Sequence, residues 1–302
     1  MARVKKIDVH CHVTVKLEKF TNHYHDNTPF LSAEEQIAIY DALDVEMGVN
    51  QALFCPEFAG SPVTNENCHA TAENNPDRFS WFCYVDPRSY KEEYGGRDLS
   101  DILNDYKQMG AKGVGEFVPN LYFDDPLIDK FFSHCEEVGM PLLFHISPAL
   151  GFNYGLVDEL HLPRFEKMLK KHKDLIFLGH SQPFWAEMGT DLTQETRNMY
   201  PTTKVVEGRI PKLMREYGNL YADLSAGSGS NALRRDPEYA AKFVEEFSDR
   251  IVYGCDICSR NDKHFHPFND FLNDMTDRGM ISEENYAKIA RENAIRILGL
   301  KL

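Results

Sequence analysis

The sequence predicts an α/β fold, a single (β/α)8 TIM barrel domain that spans residues 1–302. Two observations support it: eight short apolar runs recur along the chain, and segments with helical periodicity and charged faces separate them. The spacing of the runs, roughly 30 to 45 residues, is that of one strand and its crossover helix. Near-continuous apolar strands that alternate with helices indicate a parallel sheet covered on its outside, and eight such units close into a barrel.

The predicted strands are rich in aliphatic, β-branched and aromatic residues, and most of them end in polar or turn residues. In chain order they are Ile7–Val13, Val49–Pro56, Phe79–Pro87, Ala111–Pro119, Pro141–Pro148, Leu175–Ser181, Leu220–Gly227 and Ile251–Cys258. An open doubly wound sheet is the competing architecture, but it does not require this even count of eight.

Helix signals lie between these strands. Ser32–Gly48 begins with Ser-Ala-Glu-Glu, which is the pattern of a capping box. Leu99–Gly110 and Pro126–Gly139 each end at a glycine, as helices commonly do. Leu162–His172 also has the helical period, and Ser282–Leu298 begins with Ser-Glu-Glu after the eighth strand, where the barrel requires its last helix.

Charge and hydropathy exclude several classes of partner. The net charge of −14, from 33 basic and 47 acidic residues, argues against binding to nucleic acid or to an anionic membrane. No apolar run approaches the ~20 residues that a membrane-spanning helix needs. The N-terminal residues contain no apolar signal segment, so we expect a cytoplasmic protein that acts on a small molecule.

The cysteines fit the same location. There are seven, an odd number, and they are scattered through strand-like and helix-like segments, which suits reduced thiols. Cys255 and Cys258 form a lone CxxC. Because residues three apart on a strand face opposite sides, we interpret this pair as packing rather than as a zinc or redox motif.

Side chains that can bind a metal end five of the predicted strands. His10 and His12 point to the same face, because alternate residues of a strand do so. The C-terminal ends of the strands form the functional face of a TIM barrel, so we expect these side chains to converge. A single strand-end histidine is usually a hydrogen-bonded core residue, but coincidence at several strands favours a metal centre. The set is His10, His12, Glu116, His145, His180 and Asp256.

These motifs resemble the amidohydrolase superfamily, and within it the amidohydrolase-related branch that includes aminocarboxymuconate-semialdehyde decarboxylase. The resemblance rests on Ile7-Asp-Val-His-Cys-His, Leu143-Phe-His, Gly179-His, Gly254-Cys-Asp and the closing Glu292-Asn-Ala-Ile-Arg-Ile-Leu-Gly-Leu. It covers essentially the whole chain. That branch holds decarboxylases, lactonases and other hydrolases, so the motifs are specific for the fold and the metal centre and are poor guides to the substrate.

The resemblance implies a division of roles. His10, His12, His145 and Asp256 would bind one divalent metal ion, with Zn²⁺ as the first expectation and Mn²⁺ or Fe²⁺ as alternatives. His180 would be the acid/base catalyst, and Asp256 would also move protons. The implied activity is that of a metal-dependent hydrolase that uses a metal-activated water. The alternative is a non-oxidative decarboxylase of an aromatic or unsaturated acid.

Glu116 leaves two interpretations open. Other branches of the superfamily place a glutamate or a carboxylated lysine on the fourth strand, where it bridges two metals, so a second metal is an open alternative. Glu116 would otherwise orient a histidine or contact the substrate.

Substrate and partner expectations are less specific. Trp185 follows the sixth strand, where an aromatic substrate wall would stand. Arg260 and other cations after the seventh and eighth strands, namely Arg234, Arg235 and Lys263, suggest a carboxylated substrate. His23, Tyr24 and His25 would reach over the barrel mouth. Resemblance to the dimers of the family and the long connection Gln182–Gly208 predict a homodimer.

Overall fold

Eight parallel strands follow one another in barrel order. One additional short strand pairs with the fifth of them. The computed structural model describes residues 3–14, 29–58, 63–89, 97–263 and 265–302; the predicted contribution of His23, Tyr24 and His25 lies outside these residues. The strands are β1 (Lys6–Cys11), β2 (Val45–Gln51), β3 (Phe79–Phe82), β4 (Val114–Phe117), β5 (Leu142–Ser147), β6 (Leu156–Val157), β7 (Phe177–His180), β8 (Leu220–Asp223) and β9 (Ile251–Val252). The predicted TIM-barrel class is confirmed.

The strand ladder divides into two sheets, β1-β2-β3 and β4-β5-β7-β8-β9, with β6 paired to β5. Single parallel bridges join them, between Cys83 and Val114 on one side and between Cys11 and Ile257 on the other. The strands therefore stand in cyclic order. Because only isolated bridges join the two sheets, the hydrogen-bonded strand ladder is not continuous and does not close the barrel.

Helices cover the outside of the strands. They are α1 (Ala33–Leu43), α2 (Asn65–Asn74), α3 (Leu99–Gln108), α4 (Pro126–Val138), α5 (Pro163–Lys171), α6 (Gln182–Ala186), α7 (Arg209–Glu216), α8 (Ala226–Arg234), α9 (Pro237–Phe247), α10 (Phe265–Asp277), α11 (Glu283–Ala287) and α12 (Asn293–Leu298). Within the described part of the chain, none of these helices combines the length and apolar character needed to cross a membrane.

The second unit begins earlier than its predicted bounds. The expected capping box at Ser32 is present, but α1 ends at Leu43 rather than at Gly48, and β2 occupies Val45–Gln51. Asp44 explains the difference: its backbone is left-handed, with φ 54°, and its carbonyl accepts a hydrogen bond from the Lys6 backbone N–H at 2.8 Å. This turn starts the pairing of β2 with β1 before the apolar run is reached.

The predicted last helix, Ser282–Leu298, contains a π-helical turn over Lys288–Glu292, between α11 and α12. The N–H of Asn293 donates to the carbonyl of Lys288, five residues back. The carbonyl of Ile289 instead accepts a hydrogen bond from the Tyr253 N–H at 3.0 Å. The turn thus ties the helix to the chain that follows β9.

An apolar layer fills the barrel beneath the strand ends. Val9, Val49, Leu143 and Leu178 pack in one buried cluster. Leu143 and Leu178 precede His145 and His180 by two residues, so the polar strand ends stand directly above this layer. The apolar support excludes water from one side of the polar groups.

Candidate metal centre

Four histidines and three carboxylates meet where the parallel strands end. His10 lies on β1 and His12 follows it, Glu116 lies on β4, His145 on β5, His180 ends β7, Asp223 ends β8 and Asp256 follows β9. All except Asp256 are buried, and the Asp256 side chain is 18% exposed. The Nε2 atoms of His10 and His12 are 3.1 Å apart, so the two rings converge as predicted from strand alternation.

Asp223 and Ser225 hold two of the rings. The Nδ1 of His10 lies 2.8 Å from Asp223 Oδ2. The Ser225 hydroxyl donates to the same oxygen at 2.6 Å, and its Oγ lies 2.9 Å from the Nδ1 of His180. Since that hydroxyl proton is used by Asp223, Ser225 Oγ accepts the Nδ1 proton of His180, and the Nε2 of His180 is left as a proton acceptor.

The other two rings are oriented in the same way. The Nδ1 of His12 donates to the carbonyl oxygen of Gln51 at 3.0 Å, and the Nδ1 of His145 donates to Glu116 Oε1 at 2.8 Å. An imidazole that donates one N–H to an oxygen has its other nitrogen available for a metal ion. Each of the four rings therefore leaves Nε2 available.

Glu116 takes part in two sets of contacts. Its Oε1 accepts the hydrogen bond from His145, and its Oε2 lies 3.7 Å from the Nε2 of His10 and 3.5 Å from the Nε2 of His12. One carboxylate oxygen thus orients a histidine while the other faces the converging imidazoles.

Asp256 links the pair of converging rings to His180. Its Oδ1 lies 3.7 Å from the Nε2 of His10 and 3.6 Å from the Nε2 of His12, and its Oδ2 lies 3.7 Å from the Nε2 of His180. The backbone of Asp256 is left-handed, with φ 52°, and its N–H donates to the His10 carbonyl at 2.7 Å. This turn aims the carboxylate into the cluster.

These contacts shift the pKa values of the ionisable groups in the cluster. Burial opposes protonation of His10, but the carboxylates, led by Asp256 and Asp223, raise its pKa well above the ordinary value. Burial would raise the pKa of Glu116, but hydrogen bonds from the surrounding histidines hold it well below its usual range. The Asp223 pKa is lowered against burial by His10 and His180. Three carboxylates and four imidazoles thus interact closely in one buried cluster.

The donor set fits a divalent metal ion. Ligand atoms lie within 4.8 Å of one another in overlapping groups, which include His10, His12 and Glu116, and also His10, His180 and Asp256. Imidazole and carboxylate donors suit Zn²⁺, Mn²⁺ and Fe²⁺. His145 is grouped with Glu116 and His180 rather than with His10 and His12. The set is compatible with a divalent metal site and does not distinguish among these metals.

Asp223 is a site residue that the sequence argument missed. Asp223 ends β8, the seventh strand of the barrel, and Asp256 follows β9, the eighth. The position of Asp223 at a strand end was therefore an available signal. Ser225 and Gln51 carried no comparable signal, since a serine hydroxyl is not specific to a metal site and every residue has a backbone carbonyl. Only the folded chain shows which of them meet a histidine.

Trp185 and Arg260, predicted to contact the substrate, each have a partner within the protein. The Trp185 indole is buried, and its Nε1 donates to the Asp223 carbonyl at 2.9 Å, which supports the strand that carries Asp223. Arg260 is 59% exposed and forms an ion pair with Glu35 near the start of α1. Both side chains thus contact the scaffold of the barrel.

Comparison with known proteins agrees with this architecture. A family model described as Amidohydrolase matches residues 7–300. No curated protein sequence matches the chain.

Solved structures with the same fold include enzymes of two reaction types. 5-Carboxyvanillate decarboxylase from Sphingomonas paucimobilis is 17% identical, with 99% of this chain and 100% of that chain covered and a TM-score of 0.62. A Pseudomonas putida protein assigned as a 2-pyrone-4,6-dicarboxylic acid hydrolase is 14% identical, with both chains covered completely and a TM-score of 0.63. 2,6-Dihydroxybenzoate decarboxylase from Rhizobium is 17% identical, with 98% of each chain covered and a TM-score of 0.58.

Proposed function

The chain belongs to the amidohydrolase family, and on that premise we propose that it is a metal-dependent hydrolase of a small, carboxylated amide, lactone or related compound. The observation that carries the proposal is the pair formed by Asp256 Oδ2 and the Nε2 of His180, 3.7 Å apart at the edge of the histidine cluster. Two proton carriers side by side suit a reaction in which water loses one proton and a leaving group gains one.

The family resemblance implies that His10, His12, His145 and Asp256 would hold the metal; Glu116 lies beside His10 and His12 and joins His145 to them, since His145 groups with Glu116 and His180. A divalent ion bound there polarises a carbonyl group and lowers the pKa of water. Glu116 Oε2 faces the Nε2 atoms of His10 and His12, so a role as a ligand, or as a bridge to a second ion, belongs to this proposal.

His180 acts as the general base. Its Nδ1 proton is held by Ser225, whose hydroxyl is bound to Asp223, so the neutral ring presents its lone pair at Nε2. The ring takes the proton of the attacking water at that atom. Asp223 then stabilises the resulting imidazolium, because its Oδ2 lies 3.2 Å from the Nδ1 of His180.

Asp256 carries the proton onward. Its Oδ2 faces His180, and its side chain is partly exposed, so it lies between the buried imidazoles and the solvent side of the site. From this position the carboxylate can pass the proton to the leaving group.

Three of the four cations that the sequence singled out for a substrate carboxylate are paired within the protein, which weakens both the decarboxylase alternative and the expectation of a carboxylated substrate. Arg235 pairs with Asp191 at 3.1 Å, Arg260 pairs with Glu35, and Lys263 donates to the Arg260 carbonyl at 2.8 Å. These three side chains are engaged by other parts of the protein.

A panel of lactones, N-acyl compounds and carboxylated aromatics tests the proposal. The protein loaded with Zn²⁺, Mn²⁺ or Fe²⁺ is incubated with each compound, and the release of acid and of carbon dioxide is measured separately, with chelator-treated protein as control. Acid release without carbon dioxide supports the hydrolase. Carbon dioxide release from an aromatic acid would instead establish the decarboxylase alternative.

We also propose that the protein is a cytoplasmic homodimer, as the family resemblance implies. Light scattering after gel filtration measures the mass directly. A mass equal to that of one 34.7 kDa chain would contradict the dimer.

A further inference from the structure

The two cysteines of the CxxC motif lie in different surroundings. The thiol of Cys255 lies 3.3 Å from the hydroxyl oxygen of Tyr253. The thiol of Cys258 donates to Asp256 Oδ1 at 3.4 Å. Packing accounts for Cys255, whereas Cys258 stands beside a carboxylate of the candidate metal centre.

Cys258 also forms a donor group with two residues of that centre. The Sγ of Cys258, the Nε2 of His12 and a carboxylate oxygen of Asp256 all lie within 4.8 Å of one another, and Cys258 is 3% exposed. The His12 Nε2 and Asp256 Oδ1 atoms are 3.6 Å apart. Around a tetrahedral ion with Zn–S near 2.3 Å and Zn–N near 2.0–2.1 Å, neighbouring ligand atoms stand about 3.5 Å apart. The spacings of Asp256 Oδ1 from the His12 Nε2 and from the Cys258 Sγ, 3.6 and 3.4 Å, are close to this value.

The backbone holds the thiol in this position. Asp262 Oδ2 accepts hydrogen bonds from the N–H groups of Cys258 and Ser259, each at 2.8 Å. The Asp256 N–H is bound to the His10 carbonyl. Both ends of the segment 256–259 are therefore anchored, and the thiol remains beside Asp256.

We propose that Cys258 is a thiolate ligand of the divalent ion held by His12 and Asp256. The inference rests on the metal centre of the proposed function and adds a sulfur donor to it. On binding, the S–H bond breaks, a metal–sulfur bond forms and the proton leaves to solvent. A soft thiolate favours Zn²⁺, Cd²⁺ and Co²⁺ over Mn²⁺, so Cys258 biases the metal preference of the centre.

X-ray absorption at the zinc edge tests the ligand directly. The zinc-loaded wild type should show a sulfur shell at about 2.3 Å together with the nitrogen and oxygen shell. Cys258→Ser should keep zinc and lose the sulfur shell, and Cys255→Ser is the matched control that should retain it. In parallel, Co²⁺ loading should give a sulfur-to-cobalt charge-transfer band in the wild type and in Cys255→Ser only.

The outcomes separate this inference from the function on which it rests. Zinc bound through nitrogen and oxygen alone would overturn the role of Cys258 and leave the metal centre intact. Failure of the wild type to bind zinc or cobalt would refute the metal centre itself. A sulfur shell that disappears in Cys255→Ser but persists in Cys258→Ser would show that Cys255 is the ligand, and would overturn the inference. The wild-type spectrum alone decides the question if Cys258→Ser does not fold.

Discussion

Two groups of this protein combine buried histidine with carboxylates, and they use the imidazole differently. In the candidate metal centre, the Nδ1 atoms of His10, His12, His145 and His180 are hydrogen-bonded and the Nε2 atoms are left available. In the second group, which we name the α4–α5 group (His172, Asp129 and Glu136), both ring nitrogens of His172 are bound. Its Nε2 lies 2.8 Å from Asp129 and its Nδ1 3.3 Å from Glu136.

The difference separates a structural histidine from one that can bind a metal. Both kinds are buried and both have carboxylate neighbours, so neither burial nor charge distinguishes them. What differs is the number of ring nitrogens already engaged by the protein, because an imidazole with both nitrogens bound has no lone pair left for an ion. The α4–α5 group joins two helices, and the centre keeps its free nitrogens for a ligand.

His10→Ala should have the largest effect. It removes one of the converging Nε2 atoms, and we expect metal affinity to fall by at least about 100-fold, with loss of activity. Metal content after dialysis, measured by atomic absorption, checks this. His172→Ala is the matched control. Equal metal loss in both variants would contradict the assignment of metal binding to the first group and of a structural role to the α4–α5 group.

His180→Ala should retain most of the metal and lose about 10²–10⁴-fold in turnover, as expected for removal of a general base. Metal content and rate are measured on the same sample. His161→Ala serves as control, because the His161 side chain is 66% exposed and pairs with Glu187. If His180→Ala loses metal as readily as His10→Ala, then His180 is a ligand and not the base.

Asp223→Asn should weaken metal binding by about 10–100-fold, because Oδ2 faces His10 and the Ser225 hydroxyl while Oδ1 accepts from the Ser225 N–H, and a neutral amide cannot accept at both positions. Competition with a coloured chelator measures the affinity. Glu136→Gln makes the same change in the α4–α5 group and should leave metal affinity unchanged. An unchanged affinity in Asp223→Asn would show that the His10 ring is oriented without this carboxylate.

His172→Ala should lower the free energy of unfolding by about 1–3 kcal/mol, because it leaves Asp129 and Glu136 without their shared donor. Urea denaturation with metal present measures the loss. A stability equal to that of the wild type would show that the α4–α5 group contributes nothing to helix packing.

The smallest effect concerns pH. Burial would raise the pKa of Asp129, but Lys171 and His172 lower it below its usual range. A carboxyl group with a lowered folded-state pKa stabilises the protein above its unfolded pKa near 4, and this contribution is lost as the pH falls through the folded value. The stability difference between wild type and Asp129→Asn should therefore shrink below about pH 4, by at most about 1 kcal/mol. A difference that is constant from pH 6 to pH 3 would contradict this linkage.

The strand order was predictable because each strand and helix carries its own local pattern. Apolar runs such as Leu142–Ser147 and the capping box at Ser32 are readable from neighbouring residues alone. Element boundaries were less predictable. The start of β2 depends on the Asp44 turn, and the π-helical turn depends on the distant Tyr253 N–H. Both result from hydrogen bonds between segments far apart in the chain.

The candidate site divides in the same way. His10, His12, Glu116, His145, His180 and Asp256 were identified because histidine and carboxylate at the ends of successive strands form a recognisable pattern. Asp223 was missed, and the contacts of Trp185 and Arg260 with the scaffold of the barrel were not foreseen. A side chain on a loop or helix can turn in several directions, and the packing of its neighbours decides among them.

By itself the sequence determined the barrel, its family and the residues that can bind a metal, because these depend on periodicity and on residue type at fixed positions. Only the tertiary structure decided which nitrogen of each histidine is engaged, that Glu116 both orients His145 and faces His10, and that Cys258 lies beside Asp256. Those properties depend on distances of a few ångströms between different strands. Such distances are set by the folded packing of the whole barrel.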